Sequence, residues 1–286
     1  MIKTLQRKQI DNERWDKIIA SSANETIYPY SWYLDACADN WLGIVMNDYE
    51  YIMPVAYRRK LGLKYTYQPI YCQQLGVYSK DEVEPEVTRI FLHALKKQFK
   101  VGDYSFNEGN LLGEEAGYEV SDNCNYIVSL NAETEVIQKN YTENCRRNIK
   151  RTVSSAVEFT EDISIDEIVN LKQMTESSQR NPGHYVYMKK LFTVLDKEGK
   201  IKTLGVRKGS HLIAAAIFAF SNTRAIFLLS ASSESGKDQR SMFQVVNKFI
   251  QMHAGEDLKL DFEGCFNCTF FSRIRGETRN LSESSI

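Results

Sequence analysis

Two acids near the carboxyl end, Asp261 and Glu263, stand two residues apart in Lys259-Leu260-Asp261-Phe262-Glu263-Gly264. Side chains on a strand repeat their direction every two residues, so this spacing predicts two carboxylates on one side, each raising the other's affinity for protons. Such a pair suits general-base work on an amine. It fits equally two solvated acids at a strand end, where acids are common. A second group is cationic: Arg146, Arg147, Lys150 and Arg151 fall within six residues, with no acid among them. At about 100° per residue they fill an arc of roughly 140°, while Ile137, Tyr141, Cys145, Ile149 and Val153 fill a separate arc of roughly 160°. A single helix over 133–157 would then carry an apolar face and a cationic face, the second suited to an anionic ligand or to solvent. Gln68, Gln73 and Gln74 form a third group; a buried amide needs several partners, so at least one of them is expected to face a cleft or to bridge domains. Tyr30 and Trp32, with Tyr28, Tyr65, Tyr67 and Tyr71, enrich the same half in amphipathic aromatics that suit either core packing or the wall of an acceptor cleft.

Other chemistries find little support. The six cysteines, at positions 37, 72, 124, 145, 265 and 268, lack the density of a secreted disulfide scaffold. Cys265 and Cys268 have the spacing of half a zinc site, but no second pair supplies the other two ligands, so no metal is expected. The four histidines are scattered. A formal net charge of −1 gives no global field for nucleic acid or anionic lipid, and any attraction must be local. Hydrophobic residues at 43% and charged residues at 26% describe an ordinary globular chain. No apolar run approaches the ~20 residues that span a bilayer, and the polar, charged first residues give no signal-peptide core, so a cytoplasmic location is expected.

The elements that must position these groups repeat. From Trp41 to Gly109 the order is two apolar strands about the turn Asn47-Asp48, a stretch Tyr65 to Val77, a polar loop, a helix over 84–100 and the strand Tyr104-Ser105-Phe106. From Ile201 to Gly264 the order recurs: strands flank Lys208-Gly209-Ser210, a third covers Ala225 to Ala231, and a polar loop leads to a helix and a strand at 259–262. Both copies close on Glu-Gly. Before the first copy, 11–20 and 30–38 read as helices; between the copies come a strand at 126–130 and helices over 133–157, 166–179 and 188–198, the second ended near Asn181-Pro182-Gly183. The last residues, 280–286, are expected to fray.

Three segments in this frame carry a resemblance: Gln68-Pro69-Ile70-Tyr71-Cys72-Gln73-Gln74-Leu75-Gly76-Val77, Tyr141-Thr142-Glu143-Asn144-Cys145-Arg146-Arg147-Asn148-Ile149-Lys150-Arg151 and Leu260-Asp261-Phe262-Glu263-Gly264. In them the chain resembles the FemAB-like acyltransferases of bacteria, built from two tandem GNAT-like domains. The resemblance implies an α/β (α+β) protein with an N-terminal domain over 1–130 and a C-terminal domain over 131–286 that includes the basic helix, each a mixed, mostly antiparallel sheet flanked by helices. It implies an N-acyltransferase that moves an acyl or aminoacyl group from an activated donor to an amine on a small molecule or a cell-wall precursor. No permanently bound cofactor is expected; the co-substrate would be acyl-CoA, acyl carrier protein or aminoacyl-tRNA. Asp261 and Glu263 would be catalytic, and Leu229, Ser230 and Ala231 would offer backbone to the donor from a strand that splits from its neighbour.

The chain departs from the GNAT pattern at the phosphate loop. The second-half loop, Ser232 to Ser241, has one glycine, which leaves Gly236, Lys237 and Arg240 to meet a donor phosphate. The first-half loop is acidic. Nothing resembles the long helical hairpin of the tRNA-dependent members, so tRNA is the less favoured donor, although Arg146, Arg147, Lys150 and Arg151 suit a phosphate backbone. Tyr30, Trp32, Gln68, Gln73, Gln74 and the four cations would serve an acceptor or an anion. The competing reading is a non-catalytic protein that binds an anionic ligand on the same fold.

Overall fold

The computed structural model describes residues 1–113, 119–153, 157–176, 182–264 and 277–285. Two compact units divide the chain, one of Met1–Cys124 with Arg279–Ile286 and one of Asn125–Thr278.

The first unit opens with β1 (Ile2–Gln6), α1 (Asn12–Ser21) and α2 (Ser31–Cys37). Asp11 caps α1 by accepting from the Arg14 amide, and the helix buries Trp15 and Ile19. The Trp15 indole donates to the Pro29 carbonyl at 2.8 Å, so the buried ring leaves no polar atom unpaired. Tyr30, at the N-cap of α2, gives no side-chain cap. Asp16 of α1 takes over, accepting from the Ser31 amide at 2.7 Å and its hydroxyl at 2.8 Å. Then follow β2 (Trp41–Met46), β3 (Tyr51–Lys60) and β4 (Leu63–Thr66), which with β1 form an antiparallel sheet in the order β1-β2-β3-β4. α3 (Pro85–Gln98) has Pro85 at its first turn and buries Phe91, Leu92 and Leu95. β5 (Asp103–Phe106) follows it.

The stretch Tyr65 to Val77 is not one continuous strand. Only β4 is continuous; beyond it single bridges remain, Leu75 parallel to Phe106 and Tyr78 antiparallel to Ile52. Pro69, Tyr71 at φ 65° and Gly76 at φ 137° interrupt the extended path. Gly76 has no substitute here, since a Cβ would lie 2.0 Å from Asn110 Oδ1. Asn110 accepts from the Val77 amide and donates to the Val77 carbonyl, replacing the lost ladder.

β6 (Glu119–Ser129) leads into the second unit, followed by α4 (Thr134–Lys139), α5 (Glu143–Val153), β7 (Glu158–Glu161), α6 (Ile165–Thr175) and α7 (Pro182–Lys197). Next come β8 (Ile201–Lys208), β9 (His211–Phe220), β10 (Arg224–Ser232), α8 (Glu234–Asp238), α9 (Ser241–His253) and β11 (Lys259–Asp261). The sheet of this unit runs β6-β11-β10-β9-β8-β7, antiparallel except where β10 meets β11. Helices α5 and α9 pack together, α9 lies on β8 and β9, and α6 lies on β9 and β10. The first unit's four-stranded sheet is thus antiparallel throughout and the second unit's sheet is mixed but mostly antiparallel, and helices flank both.

Three expectations shift. The single helix over 133–157 is two, because Asn140 ends α4 and the Thr142 hydroxyl caps α5 by accepting from the Cys145 amide at 3.3 Å. Tyr141 between them reaches Asn247 of α9 through its hydroxyl. The apolar series survives the break: Ile137, Tyr141 and Cys145 are buried and Ile149 packs against them. Pro182-Gly183, read as a stop, opens α7, as proline's fixed φ allows in a first turn. The last expectation to change concerns the carboxyl end, where 280–285 belong to β12 (Glu277–Ser285), antiparallel to β5 with Ser282 opposite Phe106. A distant strand supplies the partner that local sequence lacks.

Candidate functional site in the second unit

The parallel pairing of β10 with β11 covers only Arg224, Ala225 and Ile226, opposite Lys259, Leu260 and Asp261. β10 then runs on to Ser232 without β11, and its register with β9 shifts between Phe227 and Leu229. An extra residue at Leu228 twists the strand, the usual effect of a bulge. Leu229, Ser230 and Ala231 therefore lie past both the bulge and the last β11 pair. The side chains of Leu229 and Ala231 are buried, and Ser230 is half-buried. A strand that outlasts its neighbour presents backbone N–H and C=O groups along one edge.

Asp261 sits where the two strands part. It is fully buried; its Oδ2 accepts from Arg224 Nη1 at 2.7 Å and from Asn125 Nδ2 at 3.2 Å, and its Oδ1 accepts from the Glu263 amide at 2.8 Å. Burial pushes this carboxyl above its ordinary range, and the Arg224 guanidinium pulls the other way. Glu263 has φ 59°, outside the strand, so the alternation that would place it beside Asp261 no longer applies. It is half-buried. Sequence reading missed Arg224 and Asn125; the available signal was a lone cation opening an apolar strand.

A second polar group adjoins the free stretch of β10. Lys172 of α6 donates to the Ser230 carbonyl at 3.4 Å and pairs with Glu176 at 3.5 Å, and Glu176 accepts from the Tyr185 hydroxyl at 2.6 Å. The i,i+4 spacing of Lys172 and Glu176 was legible, but their contact with a strand 58 residues away was not.

The loop after β10 differs from an open phosphate cradle. Ser233 caps α8 by accepting from the Gly236 amide, and Gly236 is buried where a Cβ would meet the Ile213 carbonyl at 2.1 Å. Lys237 is exposed and paired with Glu234 at 2.7 Å. Arg240, exposed and left-handed at φ 57°, stands at the N-cap of α9. On α5, Arg146, Arg147, Lys150 and Arg151 are all exposed, Arg146 donating to the Lys139 carbonyl and Arg147 to Asn144. Cys265 and Cys268 lie outside the described residues.

Within the first unit, Gln68 donates to the Cys72 carbonyl at 2.7 Å and accepts from the Ser105 amide at 3.3 Å, bracing the loop. Gln74 is fully buried, and neither its amide nitrogen nor its oxygen has a partner among the described residues; Gln73 Oε1 is likewise unpaired. Tyr30 and Trp32 are half-buried with centroids 5.6 Å apart, and the Tyr30 hydroxyl donates to Glu25 at 3.1 Å.

No protein-family profile matches the chain, and no curated protein matches it in sequence. Solved structures do match in fold. FemX superposes with a TM-score of 0.63 at 10% identity, over 99% of this chain and 96% of that one. A tandem GNAT protein from the clavulanic acid biosynthesis pathway gives 0.59 at 8%, over 100% and 98%. The C-terminal domain of a putative lysylphosphatidylglycerol synthetase from Agrobacterium fabrum gives 0.57 at 10%, over 96% and 90%. The chain thus carries the tandem GNAT-like fold that FemAB-like proteins share. Among the described residues no helix is long and apolar enough to cross a membrane.

Proposed function

We propose that the chain is an N-acyltransferase that moves an acyl or aminoacyl group from an activated donor to an amine. The observation that carries this reading is the stretch of β10 past its bulge, where Leu229, Ser230 and Ala231 leave β11 behind. Backbone donors fixed along such an edge suit a carbonyl that gains negative charge as the amine attacks. The bond from that carbonyl to the donor's sulfur or oxygen then breaks, and the amine's proton passes to a carboxylate. Glu263 is our choice for that carboxylate. Asp261, committed to Arg224, Asn125 and the Glu263 amide, holds the parting strands and Glu263 in place. Arg240 at the head of α9, with Lys237 nearby and the cations of α5, would meet the donor's phosphates, whether the donor is acyl-CoA, acyl carrier protein or aminoacyl-tRNA. The acceptor would be an amine on a small molecule or a cell-wall precursor.

Incubation of the purified chain with labelled acyl-CoA, acyl-carrier-protein and aminoacyl-tRNA panels and candidate amines tests the reading. Transfer from one donor, reduced a hundredfold or more in Glu263→Gln, is expected for a lost general base. A second reading, a non-catalytic binder of an anionic ligand, draws on Gly236, which is packed against β9 instead of open to phosphate. It predicts ligand binding that survives Glu263→Gln and is lost in an Arg147→Ala, Arg151→Ala double variant.

A further inference from the structure

The tip of the β3–β4 hairpin reads Arg58-Arg59-Lys60-Leu61-Gly62-Leu63-Lys64. Lys60 pairs with Leu63, so the loop is the two residues Leu61 and Gly62, both with positive φ, 50° and 84°. A two-residue loop of this kind favours Asn-Gly or Asp-Gly; a leucine in the left-handed region is strained and gains nothing for the turn. Nor does it gain burial, since Leu61 is 95% exposed and Leu63 70%. The fold has no use for either side chain, and leucines presented together at a protruding tip mark a contact.

The flanking charge states the kind of contact. Arg58 is paired with Asp39 and lies over the Tyr67 ring. Arg59, Lys60 and Lys64 make no ion pair among the described residues, and no acid occurs between Glu50 and Asp81. In the ladder Arg59 faces Lys64 and Lys60 faces Leu63, so cations flank the leucines on both faces of the ribbon. Aliphatic side chains at the leading edge with cations behind them suit the boundary between headgroups and acyl chains of an anionic bilayer. A nucleic acid would engage the cations but offers the leucines nothing apolar of comparable extent.

We propose that the β3–β4 tip docks the chain on an anionic lipid surface, with Leu61 and Leu63 entering the interface and Arg59, Lys60 and Lys64 meeting lipid phosphates. The surface holds whether or not the chain transfers acyl groups.

Sedimentation of the full chain with phosphatidylcholine vesicles, and with vesicles that also contain phosphatidylglycerol, tests it. Binding to the mixed vesicles, weakened by salt, is expected. A Leu61→Ser, Leu63→Ser variant should bind roughly tenfold or more weakly, and each charge removed in Lys60→Gln and Lys64→Gln should cost about fivefold. Leu61→Asn separates folding from docking, because it gives the turn its favoured residue and should raise the melting temperature while vesicle affinity falls. Met174→Ser, at an exposed apolar residue elsewhere, should change nothing. Absence of vesicle binding by the wild type, equal binding to both vesicle types, or full binding by the double leucine variant would overturn the proposal. So would binding of a homopolymer RNA through these cations with the leucines dispensable.

Discussion

Asp261 shows how a residue's chemistry changes with its surroundings. Its type and spacing mark it as a base, yet three donors and complete burial make it the clasp of β6, β10 and β11. Replacing it by alanine removes from the interior the carboxylate to which Arg224 and Asn125 donate, which costs about 3–5 kcal/mol. Urea denaturation should record this loss, with a smaller one for Asp261→Asn and partial recovery when Arg224→Met is added. Gln74 is the opposite case, a buried amide with no partner among the described residues. Gln74→Met removes two desolvated polar atoms at similar volume, so stability should hold or rise by about 1 kcal/mol. Alternation and composition nominate both residues, but neither reports burial, because burial depends on strands that are far away in sequence.

The elements were legible where periodicity is local. The strands about Gly209 and the apolar series from Ile137 to Ile149 follow the sequence pattern, and the break at Asn140 escaped it because i+4 spacing continues through residues 140–142 between the two helices. The bulge at Leu228 has no sequence mark, since an added apolar residue in an apolar strand looks like more strand. Tertiary pairing also sets how elements respond to acid. Glu167, in the first turn of α6, binds Arg207 of β8 through two bonds of 2.7 Å, and this hydrogen bonding holds its carboxyl below the usual glutamate range. A depressed carboxylate stabilises the fold above its ordinary pKa and loses that contribution as pH falls through the folded value. Arg207→Gln should therefore lower stability at neutral pH, by about 1 kcal/mol or less because the pair is partly exposed and screened. The gap from wild type should close in melts at increasingly acid pH.

At the scale of the whole molecule, a net charge of −1 hides local concentration of cations on α5 and on the β3–β4 tip. Polyanion binding is then a property of a face. If the four α5 cations contact a nucleic-acid donor, the logarithm of affinity should fall against the logarithm of salt with a slope of about −3. Replacing Arg147 and Arg151 with alanine should bring that slope to about half. A slope near zero in filter binding with bulk tRNA would remove aminoacyl-tRNA from the donors. The tandem GNAT-like fold was legible as a repeated order of strands, helix and strand, because hydrophobic periodicity is a local property that chance identity of 8–10% with its structural neighbours does not erase.

By itself the chain's sequence determined the duplicated series of elements, the two-faced basic segment and the set of residues able to do chemistry, since periodicity and side-chain type act over a few residues. Only the tertiary structure decided that Asp261 is clasped and Glu263 lies off the strand, that Gly236 packs against Ile213, that Lys172 reaches Ser230, and that Leu61 stands in solvent. Burial and long-range hydrogen bonds arise from which strands become neighbours. That choice rests on the summed packing of the whole sheet, which no single window of residues contains.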